Sequence, residues 1–328
     1  MILVTGGCGY LGSHCAVELI NSGFDVVLLD NLRNSNITTI DKIQSLTNKK
    51  CELIKSDIRD YKNLEEVFKK YNFKAVFHFA GLKSIIESIK HSDEYMSCNV
   101  DGTRILINQM KKSSVTKIIF SSSATVYGNN HVSPLKEDMK LESINPYGST
   151  KIIIEQLIKD YSKSNIKFKA ISLRYFNPLG ADLKAGLAEK PLGEPLNLMP
   201  ALIQSIKNQR TFNIYGKNYD TPDGTCIRDY IHVYDIAQAF EKFISKNIKN
   251  KYEIFNLGSS RGYTVLEIIK KFEKLSGNLI KYKIIKAKKG DPSQIICNNN
   301  KLKKMLDWNN KYSNIDQIIK SSVNSFKI

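Results

Sequence analysis

The sequence predicts an α/β protein, a Rossmann-type doubly wound parallel sheet with a smaller C-terminal substrate-binding α/β domain. Short β-branched segments alternate with helical patterns through the N-terminal half, and a glycine-rich turn follows the first of them. After about residue 177, prolines and glycines interrupt the pattern. Alternating strands and helices are typical of a parallel sheet that is covered by helices on both faces.

The strands can be predicted in chain order from runs of β-branched and aromatic residues. A helical pattern begins at about Leu11, directly after the glycine-rich turn. Residues 178–200 predict a loop, because proline and glycine are frequent there. A prior of about 150 residues per domain then favours two domains, residues 1–176 and 177–328. The predicted strands are Ile2–Thr5, Asp25–Leu29, Cys51–Ile54, Ala75–Phe79, Lys117–Phe120 and Lys169–Leu173.

Composition is that of an ordinary globular protein, with 42% hydrophobic and 25% charged residues among 328. No apolar run approaches the roughly 18 residues of a membrane span, and the N-terminus lacks the basic region of a secretory signal. The six cysteines are scattered, without a C-x-x-C pair or a histidine at metal-ligand spacing. We therefore expect free thiols, no metal site, no membrane partner and a cytoplasmic protein.

The formal net charge of +17 has two explanations. It can indicate a nucleic acid or another anionic partner. The basic residues are mostly lysines spread along the chain among many asparagines and isoleucines, which a codon bias toward A and T also produces. We expect no nucleic-acid partner, and a positive field that attracts phosphorylated small molecules is compatible with both explanations.

Three of the four glycines in the turn after the first strand, Gly6, Gly9 and Gly12, have the spacing G-x-x-G-x-x-G. Such glycines allow a tight strand-to-helix turn, and the helix N-terminus attracts a pyrophosphate. Asp30 ends the second strand eighteen residues after Gly12, where a carboxylate accepts hydrogen bonds from ribose hydroxyls. The pattern predicts dinucleotide binding and favours NAD over NADP, although Arg33 could accommodate a 2′-phosphate.

Two polar residues, one after the third predicted strand and one in the fourth, each have two interpretations. Asp57 follows the third strand, where it could reach an adenine or cap the strand end. His78 lies in the fourth predicted strand and is expected in the core rather than in catalysis.

Tyr147 and Lys151 are four residues apart in a helical pattern, so they share one helix face. A phenol with a pKa of about 10 is a poor base at neutral pH. A nearby ammonium favours the phenolate and lowers that pKa, while Ser123 can supply a hydroxyl to the same substrate oxygen. The alternative is a solvated surface pair, but the dinucleotide motif upstream favours the catalytic interpretation.

These segments together resemble the extended short-chain dehydrogenase/reductase family, and within it the nucleotide-sugar 4-epimerases, over essentially the whole chain. The resemblance implies an isomerase with tightly bound NAD that interconverts UDP-glucose and UDP-galactose through a 4-keto sugar, in carbohydrate (galactose) metabolism. It also implies a homodimer formed by helices near Glu87–Lys111 and Tyr147–Tyr161. The residues that carry it are Thr5–Gly12, Asp30–Leu32, His78–Lys83, Ser121–Gly128, Tyr147 with Lys151, Arg174–Pro178, Asn197–Pro200, Asp223–Val233 and Gly290–Pro292.

The resemblance also assigns the site, with Ser123, Tyr147 and Lys151 as the catalytic residues. Arg228 fits a bidentate diphosphate clamp, and its alternative is a surface salt bridge with Asp229. The implied cofactor residues are Gly6, Gly9, Tyr10, Leu11, Gly12, Asp30, Asn31, Asn34, Ser35, Asp57, Ile58, Phe79, Ala80, Lys83, Ser123, Tyr147, Lys151, Tyr175 and Phe176. The implied UDP-sugar residues are Ser123, Tyr147, Asn177, Asn197, Leu198, Asn213, Tyr215, Arg228, Lys288, Asp291 and Ile295.

Three positions depart from the family pattern. Cys98 replaces an asparagine that contacts the cofactor, and Lys288 replaces an arginine near the diphosphate, so charge is kept but the planar fork is lost. Ile295 occupies a position where a tyrosine in some relatives is thought to exclude N-acetyl groups. We hypothesise that Ile295 leaves space for UDP-N-acetylhexosamines.

Two other functions are compatible with parts of the sequence. A nucleotide-sugar 4,6-dehydratase would have an acidic pair after the serine, but Ala124 and Thr125 stand there and cannot act as acid and base. A non-catalytic NAD-binding regulator would use the positive charge for an anionic partner. The intact Ser123, Tyr147 and Lys151 argue against that function.

Overall fold

The computed structural model of the chain describes residues 1–184, 186–246, 249–288 and 290–327. The strands are β1 (Ile2–Thr5), β2 (Val26–Asp30), β3 (Glu52–Lys55), β4 (Ala75–His78), β5 (Lys117–Ser123), β6 (Lys169–Tyr175), β7 (Asn177–Leu179), β8 (Phe212–Tyr215), β9 (Ile227–His232), β10 (Tyr252–Leu257), β11 (Gly262–Thr264), β12 (Tyr282–Ile285) and β13 (Gln294–Ile295).

The α-helices are α1 (Tyr10–Asn21), α2 (Thr39–Thr47), α3 (Tyr61–Lys70), α4 (Ile85–Lys90), α5 (Ser92–Tyr95), α6 (Gly102–Lys112), α7 (Pro146–Ser164), α8 (Leu198–Lys207), α9 (Val233–Ser245), α10 (Val265–Ser276), α11 (Asn300–Leu306) and α12 (Ile315–Phe326). A π-helix covers Met96–Asp101, and a 3₁₀-helix covers Ala124–Tyr127.

The large sheet has seven strands in the order β3-β2-β1-β4-β5-β6-β10. Strand β1 pairs in parallel with β2 and β4, and the pairs β2–β3 and β4–β5 are also parallel. The first six strands thus follow the order of a doubly wound dinucleotide-binding fold, which confirms the predicted fold class. In such sheets ligands bind at the carboxyl ends of the strands.

The core of this sheet explains why its strands are recognisable in the sequence. Strands covered on both faces are apolar along their length, and Leu3, Val76 and Ile118 are fully buried. Helix α6 contributes Leu106 and Met110, which pack into the same core. Helix α7 contributes Ile154 and Ile158, so the helix that carries Tyr147 is fixed by the sheet it covers.

Several sequence predictions about these elements are wrong. Strand β6 continues past its predicted end at Leu173 to Tyr175. Strand β5 continues past its predicted end at Phe120 to Ser123, and the three serines of this extension are buried. The segment Glu87–Lys111, expected to be helical, is not a single helix but α4, α5, the π-helix and α6. Hydrophobic periodicity does not distinguish these helix types.

The described residues form two compact units, and each unit is made of three segments of the chain. The first unit comprises Met1–Gly128, Lys140–Arg174 and Ala237–Phe255, and the second comprises the remaining segments, including Tyr175–Ile236. Residues 237–255 return to the first unit because β10 adds to the edge of the large sheet beside β6.

The second unit contains smaller sheets around its own core. Strand β9 pairs with β7, β11 and β13, and β8 pairs with β12. Leu202, Ile268 and Ile318 are fully buried in this core. Trp308 is also buried, and its Nε1 donates to the Asp235 carbonyl oxygen at 3.1 Å. Between β7 and α8 the described residues form no helix or strand beyond an isolated bridge, as the prolines and glycines predict.

Among the described residues, none of the helices has the length and apolar character needed to cross a membrane.

Candidate functional site

The glycine-rich turn brings the end of β1 against the residues that follow β4. Gly6 has a φ of +67°, and a Cβ there would lie 2.7 Å from the Ala80 nitrogen. A Cβ on Gly12 would lie 2.2 Å from the Gly6 carbonyl oxygen. Gly9, the N-cap of α1, has no side chain to cap the helix, whose first turn contains no acidic residue. The N–H groups of this helix N-terminus are therefore suited to an anionic ligand.

Asp30 organises the loops around that turn. Its carboxylate accepts from the Cys8 nitrogen at 3.0 Å, the Leu32 nitrogen at 2.8 Å and the Ser35 hydroxyl at 2.9 Å. The side chain lies at the carboxyl end of β2 and is buried. The predicted ribose acceptor thus also fixes the position of Ser35, another predicted cofactor residue.

Asn31 and Asp57 come together from neighbouring strands, because Asn31 Nδ2 donates to Asp57 Oδ2 at 2.9 Å. The guanidinium of Arg59 binds Asp57 at 2.8 Å and holds the pKa of that carboxyl well below its usual range. Arg33, which could accommodate a 2′-phosphate, is paired with Glu94. That engagement favours NAD over NADP.

The remaining predicted cofactor residues differ in accessibility. The Ile58 side chain belongs to the hydrophobic core, so only its backbone is available to a ligand. Phe79 and Ala80 are half-buried after β4, and the Phe79 ring centroid lies 4.7 Å from that of Phe240. Phe176 is buried and donates from its nitrogen to the Leu257 carbonyl oxygen at 3.1 Å. Tyr10, Leu11 and Tyr175 are half-buried, and Asn34 and Lys83 are exposed.

Asn99 is a buried organising residue that the sequence analysis missed. Its Oδ1 accepts from the Leu82 nitrogen at 2.7 Å, and its Nδ2 donates to the Leu82 carbonyl oxygen at 3.0 Å and to Thr150 Oγ1 at 3.1 Å. It ties the loop after β4 to α7. The neighbouring departure from the family pattern, Cys98, packs in a buried cluster with Tyr147.

Tyr147 and Lys151 lie in the interior, so the surface-pair alternative is wrong: their exposed fractions are 6% and 4%. Helix α7 begins at Pro146, and the N-cap Asn145 accepts from the Gly148 nitrogen at 2.8 Å. These start signals place Tyr147 in the first turn of the helix and Lys151 one turn later.

Lys151 is held by the strand that carries Ser123. Its Nζ donates to the Ser121 carbonyl oxygen at 2.9 Å and lies 4.8 Å from the Phe120 ring centroid. The same Nζ lies 5.6 Å from the ring centroid of Tyr147. Burial lowers the pKa of Lys151 to about 8.

The pKa of Tyr147 differs from the expectation that the nearby ammonium of Lys151 lowers it. Burial raises this pKa to about 12, and a hydrogen bond with Ser123 only partly opposes the rise. The Ser123 hydroxyl is oriented by Thr125, whose nitrogen and Oγ1 donate to it at 3.2 and 3.0 Å. Because both groups donate to the Ser123 oxygen, the hydroxyl proton of Ser123 is available for donation to Tyr147 or to a ligand. Thr125 was not predicted to have this role.

His78 is a core residue, as expected. It is fully buried, its ring nitrogens contact Thr5 Oγ1 at 2.7 Å and Thr103 Oγ1 at 2.8 Å, and burial lowers its pKa to about 3.

Arg228, in the second unit, is paired with Asp291 and not with its neighbour in sequence. Its Nη2 lies 2.6 Å from Asp291 Oδ1, and its Nη1 donates to the Pro292 carbonyl oxygen at 2.9 Å. The alternative of a surface salt bridge with Asp229 is therefore wrong. The guanidinium is held in one orientation, and Tyr219 donates to the other Asp291 oxygen at 3.3 Å.

Asp229 is a further residue to which the sequence predictions gave no role at the site. It is buried beside Arg228 and binds the segments that follow β10 and β13. Its carboxylate accepts from the Ser259 nitrogen at 2.7 Å, the Ser260 nitrogen at 2.9 Å and the Cys297 nitrogen at 3.0 Å. Burial raises its pKa to about 6, against the effect of these hydrogen bonds. The segment after β13 is thereby fixed beside β9, and Ile295 pairs opposite Arg228.

The strand β8 carries two predicted UDP-sugar residues. Asn213 Oδ1 is buried and has no hydrogen-bond partner among the residues described, so it can accept from a ligand. The Lys288 Nζ lies 4.3 Å from the ring centroid of Tyr215. These residues can offer a ligand an amide oxygen, an aromatic ring and a cation.

Of three further predicted UDP-sugar residues, two form hydrogen bonds within the protein and one begins a helix. Asn177 Nδ2 donates to the Asp229 carbonyl oxygen at 3.1 Å, and Asn197 Nδ2 donates to Glu189 Oε1 at 2.6 Å. Leu198 begins α8 and is half-buried. Within the described ranges, no cluster of three or more His, Cys, Asp or Glu residues suited to a metal is found.

A doubly wound sheet with a glycine-rich first turn and a buried tyrosine–lysine helix face defines a dinucleotide-dependent enzyme of the short-chain dehydrogenase/reductase type. The chain belongs to the NAD dependent epimerase/dehydratase family, whose model matches residues 2–258.

The relatives that are similar to this chain include UDP-glucose 4-epimerases. That of Bacillus subtilis (strain 168) is 41% identical over 312 residues, which cover 94% of this chain and 92% of the relative. The crystal structure of UDP-glucose 4-epimerase from Bifidobacterium longum in complex with NAD+ and UDP is 39% identical, with a TM-score of 0.96 over 99% of this chain and 98% of that one. The Stenotrophomonas maltophila UDP-glucose-4-epimerase with bound NAD and formylated UDP-arabinopyranose is 34% identical, with a TM-score of 0.96 over 99% of this chain and 97% of that chain.

Proposed function

We propose that the protein is an NAD-dependent epimerase that interconverts UDP-glucose and UDP-galactose at C4 through a transient 4-keto sugar. The observation that carries the proposal is the buried arrangement of Ser123, Tyr147 and Lys151 in the unit that has the dinucleotide turn. The similarity to UDP-glucose 4-epimerases over 94% of the chain supports the substrate.

The residues present fit a bound dinucleotide. Gly9 leaves the N-terminus of α1 without a side-chain cap, which suits the pyrophosphate, and Asp30 offers carboxylate oxygens at the end of β2. Bound NAD+ supplies a hydride acceptor and a positive charge that, together with Lys151, favours the phenolate of Tyr147. Asn31, Ser35 and the other predicted cofactor residues would hold and orient it.

Proton transfer is assigned to Tyr147. As phenolate it takes the proton of the sugar's 4-hydroxyl, and it returns the proton after the 4-keto sugar has presented its other face. Ser123 donates its hydroxyl proton to the same sugar oxygen, and Thr125 keeps that hydroxyl oriented. Lys151 provides a positive charge on the same helix face.

Recognition of the UDP moiety is assigned to the second unit, so that residues 177–328 serve mainly the substrate and residues 1–176 mainly the cofactor. Arg228 fits a diphosphate clamp because Asp291 holds its planar fork in place. Lys288, Tyr215 and Asn213 would contribute a cation, a ring and an acceptor. A firm grip on UDP leaves the hexose free to react on both faces.

A coupled assay with UDP-galactose tests the proposed function. We expect formation of UDP-glucose without net production of NADH. A 4-keto-6-deoxy sugar as product would instead indicate the 4,6-dehydratase, and binding of NAD without any turnover would indicate the non-catalytic regulator.

We also propose a cytoplasmic homodimer. Support for the dimer comes from α4, which packs on α7 and leaves Ile85, Ile86 and Ile89 exposed, with Ile153 exposed on α7. The six cysteines are free thiols, as expected for a reducing compartment. Sedimentation of the purified protein tests the dimer, and replacement of Ile86 and Ile89 by lysine should yield monomers.

A further inference from the structure

A buried ion pair that includes none of the assigned catalytic residues joins α7, the helix of Tyr147 and Lys151, to strand β6. Arg174 of β6 and Glu155 of α7 have side-chain exposures of 2% and 4%. Arg174 Nε donates to Glu155 Oε1 at 2.9 Å, and its Nη2 donates to Oε2 at 2.5 Å. Removing two charges from water costs several kcal/mol, so such a pair is weak evidence of a stabilising role. The contacts of the pair with the elements that carry the catalytic residues indicate a role in positioning those residues.

The pair connects the elements that carry the catalytic side chains. Ser122, the neighbour of Ser123 on β5, donates its hydroxyl to Glu155 Oε1 at 2.5 Å. Arg174 Nη1 donates to the Tyr127 hydroxyl at 3.0 Å, at the end of the 3₁₀-helix that follows Ser123. Glu155 therefore fixes α7 against the strand and the turn on either side of Ser123.

Glu155 is also the next charged residue along the catalytic face of α7. Tyr147, Lys151 and Glu155 follow one another at intervals of four residues, so they form one row on the helix. Cys98 and, after it, the carboxylate of Glu155 oppose the fall that burial causes in the pKa of Lys151. Glu155 thus pairs with the guanidinium of Arg174 and lies one helical turn beyond Lys151.

Burial keeps three further titratable groups near Lys151 and this pair neutral. His78 of β4 is kept neutral by burial, which lowers its pKa to about 3. Cys98 of the π-helix is kept as a thiol because burial raises its pKa. Tyr252 of β10 is likewise held as a phenol by burial, which raises its pKa. From β5 come the Ser121 carbonyl oxygen and the Phe120 ring.

We propose that Glu155 is a positioning residue that keeps Lys151 charged and holds α7 in register with Ser123. The proposal rests on the proposed function, because the charge on Lys151 matters for its effect on the Tyr147 phenolate. Arg174 and Ser122 act through Glu155 by orienting its carboxylate.

The test compares three variants of the holoenzyme in the UDP-galactose assay across pH. Glu155→Gln keeps the size but removes the charge, so the fall in rate at alkaline pH should move about one pH unit lower as Lys151 loses its ammonium sooner. Glu155→Asp keeps the charge with a shorter reach and should lower kcat while leaving the alkaline limb in place. Ser122→Ala, an uncharged control, should also leave the limb in place. An alkaline limb that does not move in Glu155→Gln overturns the proposal.

A second readout is independent of activity. The Lys151 signal in a lysine ¹³Cε NMR titration, identified by its loss in Lys151→Arg, should shift to lower pH in Glu155→Gln. If Glu155→Gln does not fold, Glu155→Gln combined with Arg174→Met leaves no unpaired buried charge. A downward shift smaller than that of the single variant is then expected, because the positive charge of Arg174 is lost together with the negative charge of Glu155. An unchanged Lys151 titration overturns the proposal in either variant. A wild-type protein without epimerase activity would contradict only the proposed function, because the Lys151 titration still tests the effect of Glu155.

Discussion

Lys151 Nζ donates to the Ser121 carbonyl oxygen at 2.9 Å, so the catalytic helix is bound to the strand that ends in Ser123. The ammonium is thereby directed at the backbone, at 5.6 Å from the ring centroid of Tyr147. Its influence on the phenol is consequently through space, and the pKa of Tyr147 remains at about 12.

The epimerase rate should fall above about pH 8, because burial lowers the pKa of Lys151 to about 8 and its positive charge is lost above that pH. Lys151→Arg keeps a charge that does not titrate in this range, so its rate, although reduced, should stay level where the wild type declines. Initial rates between pH 6 and pH 10 check this. A wild-type decline that persists unchanged in Lys151→Arg would assign it to another group.

Gly12→Ala should reduce the NAD retained by the purified protein and lower the free energy of unfolding by about 1–3 kcal/mol, because a Cβ would lie 2.2 Å from the Gly6 carbonyl oxygen. Gly193→Ala is the matched control, since a Cβ there meets nothing within 4 Å. NAD content after denaturation and urea unfolding measure both quantities. Equal NAD content and equal free energy of unfolding in the two variants would contradict the predicted steric clash at Gly12.

Arg228→Lys should weaken UDP binding by about 1.5–3 kcal/mol, because a lysine cannot reproduce a planar fork on a diphosphate. Arg210→Lys changes the same residue type in an exposed pair with Glu194 and should have no effect. Isothermal titration with UDP distinguishes them. Unchanged affinity in Arg228→Lys would dismiss the clamp.

The wild type should convert UDP-N-acetylglucosamine as well as UDP-glucose, because Ile295 is smaller than a tyrosine and is held opposite Arg228. Ile295→Tyr should lose turnover of the N-acetylated substrate and keep that of UDP-galactose. Chromatography of the products with each substrate measures this. No detectable turnover of UDP-N-acetylglucosamine by the wild type rejects the hypothesis.

Much of the fold could be predicted because its signals are local. The apolar strands, the glycines of the first turn and the tyrosine–lysine spacing act over a few residues, and the strand order follows from the alternation with helices. The strand end at Ser123 could not be predicted, since serines normally favour turns and only burial against α7 makes them part of a strand.

The residues missed at the site are those whose roles depend on distant partners. Asn99 meets Leu82 and Thr150, Asp229 meets Ser259 and Cys297, and no spacing in the sequence indicates either set. The pKa of Tyr147 was misjudged for the same reason: helix spacing places Lys151 nearby, but only the folded chain reveals how strongly burial opposes ionisation.

The rate of Tyr147→Phe with UDP-galactose, measured beside its affinity for UDP, tests the central role of this phenol most directly. Removal of a general acid–base group should lower the rate by about 10²–10⁴-fold while UDP still binds, because the Tyr147 hydroxyl transfers the proton and does not hold the nucleotide. A variant that turns over UDP-galactose at nearly the wild-type rate would show that another group transfers the proton.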